Sequence, residues 1–269
     1  MRRGRRPARA LLAIMSVIAS TAGAATSGAA ASYAVIPATR FTSVLATEAQ
    51  AAAVEVPAFA LRVEPVTNAE YLAFTIAHPE WRRGSAPPVF VDQRYLVHWA
   101  APDDPGEAAP AQSPVVDVSW FAAQAYCESE HARLPSWIEW ERAAAASATV
   151  ADARADPAWR QHLLDWYAQP SRTAPAAIGG APNLYGVRDL HSLVWEWVED
   201  FNALMVTSDS RDQGDPDRLK FCGEAALSLR DRDNYALLMR VAMLSSLKAT
   251  DTTANLGFRC ARSPEGIRP

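Results

Sequence analysis

Residues 183–197, which read NLYGVRDLHSLVWEW, constrain the fold of this chain more than any other segment. Two acidic residues, Asp189 and Glu196, stand seven positions apart in a stretch flanked by aromatic side chains. A tight turn with a carboxylate at each end offers carboxylate and main-chain carbonyl oxygens, which are the ligands that Ca²⁺ takes in proteins. Gly186 is typical of such a turn because glycine tolerates positive φ. The alternative is a buried, tryptophan-rich loop whose acids are solvated or paired with Arg188.

Four motifs spread over about residues 60–262 occur in an order that indicates a protein family. They are PVTNAEY at 65–71, PVVDVSW at 114–120 with AYC and RLPS following, the segment 183–197, and GFRC at 257–260. Together they resemble the signatures of the formylglycine-generating-enzyme family, also called sulfatase-modifying factors. The resemblance implies an α+β fold that is related to C-type lectin domains and contains much irregular structure.

The resemblance also implies a structural Ca²⁺ site. The family's ligands correspond here to side-chain oxygens of Asp189 and Glu196 and to main-chain oxygens of Ser192 and Val194. Ser192 and Leu193 replace a glycine and an asparagine of the family motif. A carbonyl ligand tolerates such a change where the backbone still reaches the same φ and ψ, so we expect the site to be kept.

The N-terminus has the composition of an export signal. Residues 1–9 hold five arginines and no acid, and the mostly apolar run that follows is too short to span a bilayer stably. Small residues suit cleavage near residue 24 or residue 31. We therefore expect a signal peptide over residues 1–31, a leader over 32–55 and a sulfatase-modifying-factor-like domain over 56–265. An uncleaved membrane anchor is the alternative.

The net charge of the mature chain indicates which classes of partner it can bind. Removal of the signal would leave 21 basic residues against 30 acidic ones, a net charge of about −9. No basic patch remains that would favour nucleic acid or an anionic lipid surface. We expect a periplasmic or secreted protein, with no membrane span after signal cleavage, that acts on a periplasmic protein or a peptide-derived substrate.

Three cysteines in an exported chain favour one disulfide and one free thiol. In some members of the family the cysteines of the AYC and GFRC motifs are bonded, which implies a Cys127–Cys260 bond and a free Cys222. Such a bond closes a loop of more than 130 residues, worth roughly 4 to 5 kcal/mol in the chain-entropy model. The alternative is three unpaired, buried cysteines.

Local patterns predict three helix starts. Thr67 with Glu70 forms a capping box, and Ser119 can cap a second helix. Ser136 with Glu139 forms a second capping box. Aromatic residues on these helices are predicted to lie in the core: Tyr71, Trp120 and Trp140. Short apolar runs predict strands at residues 89–91, 95–97 and 115–117.

The residues of the family's copper chemistry are missing. Formylglycine-generating enzymes place two cysteines, five residues apart, after a Gly-Gly-Ser segment, and this pair binds copper(I). The two positions fall near Leu227 and Arg232, while Cys222 lies within the Gly-Gly-Ser equivalent. We therefore expect no two-cysteine copper site and no formylglycine formation. The five histidines lack the H-x₃-H-x-H spacing of the iron-binding relatives in the ergothioneine pathway.

Segments between Cys222 and Leu247, together with residues 165–167 and 187–191, resemble an exported branch of the family. That branch includes accessory proteins encoded with copper nitrite reductases and a pyoverdine-maturation protein, so the resemblance implies an accessory or maturation factor. Two alternatives stay open: a non-catalytic binding module, and an oxidase with a different metal centre. Candidate residues around the former active-site cleft are Trp195, Cys222, Glu224, Tyr235, Arg240 and Arg259.

Overall fold

Strands from the two ends of the folded chain meet in one antiparallel sheet. The computed structural model describes Met1 and residues 31–45, 53–168, 175–204 and 235–263. Its first four strands are β1 (Tyr33–Ile36), β2 (Thr39–Phe41), β3 (Val54–Val56) and β4 (Phe59–Arg62). β4 lies between β1 and β7 (Ala261–Arg262), and β2 pairs with β3, all antiparallel. The sheet therefore joins the N-terminal and C-terminal parts of the described fold.

The folded domain begins before residue 56, which corrects the predicted leader over residues 32–55. β1 and β2 lie within that range, and Ile36 and Phe41 are buried. The Val44 N–H and Arg154 Nη1 both donate to the buried Glu141 carboxylate, at 2.8 and 2.9 Å. The sequence hides this contribution because each strand is three or four residues long and stands among alanines, serines and threonines.

The three predicted helix starts are confirmed. α1 (Asn68–Ala77) and α3 (Trp137–Ala144) begin at capping boxes, and α2 (Trp120–Ser129) begins at the Ser119 N-cap. Two further helices are described, α4 (Pro157–Tyr167) and α5 (Tyr235–Ser245), with 3₁₀ turns at Pro79–Trp81 and Phe201–Ala203. Within the described ranges, no helix combines the length and the apolar character that a membrane crossing requires.

The strands predicted at residues 89–91, 95–97 and 115–117 are wrong, since all three segments are irregular. Leu96 and Asp117 have φ of 49° and 53°, a left-handed conformation that ends a strand. The Leu96 N–H donates to the Asp117 carbonyl at 2.9 Å. Leu96 and Val115 are fully buried in these loops, which accounts for their apolar character, whereas Val89 and Val97 are exposed.

A short parallel pair is formed by β5 (Trp195–Glu196) and β6 (Leu256–Gly257). It places the end of the segment 183–197 beside the GFRC motif. A side chain at Gly257 would place its Cβ 2.6 Å from the Val115 carbonyl oxygen, so only glycine fits there. Just beyond, Cys260 forms a disulfide with Cys127 of α2, with their Cα atoms 5.5 Å apart. This pairing agrees with the one that the family resemblance implies.

Candidate functional site

Glu196 and Arg259 form a fully buried ion pair at the β5–β6 contact. Arg259 Nε and Nη2 donate to the two Glu196 carboxylate oxygens at 2.9 and 2.8 Å, and Trp140 Nε1 donates to the same carboxylate at 2.8 Å. The remaining Arg259 donors reach the carbonyls of Arg62, Val63 and Arg188 at 2.9–3.1 Å. Both side chains are fully buried. We call this group, Trp140, Glu196 and Arg259, the carboxylate junction.

Asp189 forms a second acidic position in the same motif. Its carboxylate accepts the N–H groups of Gly179 and Gly180 at 2.9 and 3.1 Å, and the Ser192 hydroxyl at 3.1 Å. Its own φ is 62°. A Cβ at Gly180 would lie 2.2 Å from Asp189 Oδ1, so the carboxylate packs directly on a glycine backbone.

These contacts bear on how Asp189, Ser192, Val194 and Glu196 would hold the expected Ca²⁺. A carboxylate offers about four lone-pair positions, and each of the two acids already accepts hydrogen bonds from three protein donors. A cation bound there would share both carboxylates with these donors. The calcium site therefore stays a prediction. Among the described residues, no three of His, Cys, Asp or Glu converge as a metal-binding group.

Arg240 is the second fully buried arginine next to Glu196, and its surroundings are different. Its guanidinium carbon lies 3.6 Å from the centroid of the Trp140 ring, in cation–π contact. Nη2 makes one long hydrogen bond, 3.4 Å, to the Glu196 main-chain oxygen. Nε and Nη1 are buried, and neither has a hydrogen-bond partner in the part of the chain that the structure describes. Burial lowers the pKa of Arg240.

Tyr167 and His191 add further unpaired polar atoms beside Arg240. Burial raises the pKa of Tyr167, and the neighbouring Arg240 opposes this rise. The Tyr167 hydroxyl has no hydrogen-bond partner of acceptable geometry. His191 Nε2 donates to the Ala144 carbonyl at 2.8 Å, which leaves Nδ1 unpaired. Burial and then the charge of Arg240 lower the pKa of His191 to about 4, so its imidazole is neutral at pH 7.

Aromatic rings enclose these atoms. Trp140 meets His191 edge to face with ring centroids 5.6 Å apart, and Tyr167 meets Trp195 in the same way at 5.4 Å. We call Trp140, Tyr167, His191, Trp195 and Arg240 the arginine–tryptophan cluster. It presents a buried positive charge, several free donors and apolar walls, which is an arrangement suited to holding a small anionic group.

The predicted cleft residues that the structure describes separate into three groups. Trp195 and Arg240 belong to the arginine–tryptophan cluster, whereas Arg259 is fully used in the carboxylate junction. Tyr235 is 52% exposed at the start of α5. Two predicted residues, Cys222 and Glu224, lie outside the described residues, as do Leu227 and Arg232.

Sequence reasoning missed three members of the cluster. Trp140 is in the core as predicted, but it also serves as the platform for Arg240. The resemblance of residues 165–167 to the exported branch is the signal that could have indicated Tyr167. The resemblance of residues 187–191 to the same branch is the corresponding signal for His191.

Comparison of the chain with known proteins identifies its family. The model of the sulfatase-modifying factor enzyme 1-like domain matches residues 14–264. A formylglycine-generating enzyme of Thermomonospora curvata is 30% identical over 188 residues, 62% of this chain and 62% of that protein. A hercynine oxygenase of Mycobacterium tuberculosis is 31% identical over 172 residues, 56% of this chain and 40% of that protein.

A solved structure of PvdO from Pseudomonas aeruginosa is similar with a TM-score of 0.46 and 17% identity, covering 86% of this chain and 93% of PvdO. The chain matches less than two thirds of the length of the formylglycine-generating enzyme and of the hercynine oxygenase. Its own match to the family model covers almost all of its residues. The chain therefore belongs to the sulfatase-modifying factor family.

Proposed function

We propose that this chain is an exported maturation factor that acts on a periplasmic protein or a peptide-derived substrate, in association with a copper nitrite reductase. The observation that carries the proposal is the use of its cysteines. The whole chain has three, and two of them form the Cys127–Cys260 disulfide. One thiol remains, which supports the prediction of no copper(I) site built from two thiolates.

Family membership supports a protein or peptide as the substrate. The matched model describes a factor that modifies sulfatases, and the relative from Thermomonospora curvata is a formylglycine-generating enzyme. The resemblance of Cys222–Leu247 to the exported branch supports the role in maturation and the link to nitrite reductase. The N-terminal arginines and apolar run support export.

The test is genetic. Deletion of the gene in its host should lower periplasmic nitrite reductase activity, and the full-length chain should restore it. A chain without residues 1–31 should not restore it, because it stays in the cytoplasm. Cys222→Ser should restore it fully, since the proposal gives the thiol no role. A deletion strain with unchanged activity would exclude the nitrite reductase association.

The second candidate is an oxidase with a different metal centre. The observation that favours it is the similarity to a hercynine oxygenase, 31% identical over 172 residues. Metal analysis of the mature protein, together with a thiol count, separates the two functions. A stoichiometric redox metal that is lost in Cys222→Ser would favour the oxidase.

The absence of formylglycine formation is tested directly. Mature protein is incubated with copper, oxygen, a reductant and a Cys-x-Pro-x-Arg peptide, and the peptide cysteine is followed by mass spectrometry. We expect no turnover. Turnover that disappears in Cys222→Ser would show a one-cysteine oxidase instead. No turnover, with a maturation defect in the deletion strain, leaves the maturation factor as the function; no turnover without such a defect favours the binding module.

A further inference from the structure

We propose that Arg240 binds a carboxylate group of the substrate inside the arginine–tryptophan cluster. The inference rests on the proposed function in one respect, because it takes this cluster as the place where the substrate binds. It goes further in naming the chemical class that the cluster recognises and the side chain that recognises it.

The charges buried around Glu196 do not balance. Two guanidinium groups, those of Arg240 and Arg259, are fully buried beside one carboxylate, that of Glu196. Arg259 takes both carboxylate oxygens, while Arg240 reaches only the main-chain oxygen of Glu196. The described part of the cluster therefore carries one buried positive charge without a partner, and such a charge is costly unless an anion compensates it.

Buried hydrogen-bond donors of the cluster also lack acceptors. Arg240 Nε and Nη1 are buried without acceptors among the described residues, and the Tyr167 hydroxyl is in the same state. Buried donors in folded proteins are almost always paired, so these unpaired donors on neighbouring side chains indicate a missing acceptor. A carboxylate accepts from several donors at once, and its hydrogen bonds with guanidinium groups are the strong, charge-assisted kind.

A water molecule would not serve equally well. It can accept hydrogen bonds from Arg240 and Tyr167, but it leaves the buried charge uncompensated. The Trp140 face under the guanidinium stabilises a cation without neutralising it. Peptide-derived substrates carry carboxylates at their C-termini and on acidic side chains, which connects the predicted ligand to the proposed substrate.

Formate is the probe, since it is the smallest carboxylate and needs the least space. Purified mature protein is titrated with carbon-13-labelled formate against sodium chloride at equal ionic strength, and the NMR linewidth and the Tm are followed. We expect saturable line broadening and a rise in Tm with formate. Arg240→Met should weaken formate binding at least ~10-fold, because the buried charge that attracts the anion is lost.

Two further variants complete the design. Arg94→Gln is the matched control: it removes one arginine whose side chain is 61% exposed, and it should bind formate like the wild type. Arg240→Lys keeps the charge and should bind formate with reduced affinity, which reports on the site even if Arg240→Met folds poorly. A formate effect of equal size in Arg240→Met, or none in the wild type, would overturn the inference.

The alternative source of a carboxylate is an acid of this chain outside the described residues. Were such an acid paired with Arg240, Arg240→Met would lose far more than about 5 °C in Tm, and the wild type would not respond to formate. The result is also independent of the genetic test. Formate binding through Arg240 without a maturation defect would refute the proposed function alone, and a defect without formate binding would refute this inference alone.

Discussion

Two buried arginines lie on either side of one glutamate and differ in almost every contact. Arg259 uses Nε, Nη1 and Nη2 in five hydrogen bonds to Glu196 and three main-chain carbonyls. Arg240 makes one long hydrogen bond and rests on the face of Trp140. Arg259 therefore connects segments of the fold, whereas the donors of Arg240 stay free to bind a ligand.

The contrast teaches where to look for function in a scaffold that lacks its family's reactive cysteines. A saturated buried ion pair is costly to break, although it need not be stabilising relative to an apolar core. An unsaturated buried charge has no such structural explanation.

The disulfide holds the segment that carries Arg259. Replacing both cysteines, Cys127→Ala with Cys260→Ala, should lower the free energy of unfolding by about 4 to 5 kcal/mol, because the bond closes a loop with a sequence separation of 133. Denaturant unfolding measures the loss. Cys222→Ser is the control and should change little; peptide mapping that found Cys222 in the bond would contradict the assignment.

Arg259→Met should cost about 3 to 5 kcal/mol in unfolding free energy, because it leaves the Glu196 carboxylate buried and unpaired. Adding Glu196→Gln should recover part of that loss, since the buried carboxylate charge is then removed. The double-mutant cycle gives the coupling between the two residues. Additive losses would show that Arg259 acts through its main-chain contacts instead.

His191 makes stability depend on pH. Its folded-state pKa of about 4 lies below the ordinary 6.5, so the unfolded chain binds a proton more readily. Stability is fully present above pH 6.5 and is lost as the pH falls towards 4, by about 3 kcal/mol in total. His191→Asn should flatten this part of the profile in urea unfolding. His78→Gln, at a side chain that is 42% exposed, should leave it unchanged.

Calcium binding at Asp189 and Glu196 predicts that a chelator destabilises the mature protein. A ligand present at a hundred times its Kd contributes about 2.7 kcal/mol, so chelation should lower the Tm by several degrees. Asp189→Asn should abolish the response. An unchanged Tm would mean that the six protein donors to the two carboxylates satisfy this motif without a cation.

Local signals predicted the helices well and the strands poorly. Capping boxes such as Thr67 with Glu70 act through bonds three residues apart, so the sequence contains the whole interaction. β1 and β4 hydrogen-bond across more than twenty residues, and neither has a long alternating pattern. Leu96 has a positive φ and is fully buried in a loop, so tertiary burial rather than strand structure explains its apolar character.

The site was predictable only in part. Arg240 and Arg259 are both identified by the family resemblance, yet nothing local tells which of them is paired. That depends on Glu196 facing Arg259 across the β5–β6 contact, which is a product of the whole fold. Trp140, Tyr167 and His191 come from three separate segments and meet only in three dimensions.

The comparison of the two arginines is tested most directly by the unfolding free energy of Arg240→Met beside that of Arg259→Met. The account predicts a change within about 1 kcal/mol for Arg240→Met, because an apolar side chain replaces a buried charge that has no acid to leave behind. Arg259→Met should lose at least about 3 kcal/mol under the same conditions. Equal, large losses in both variants would show that Arg240 is also a structural partner, and would contradict its assignment to the substrate.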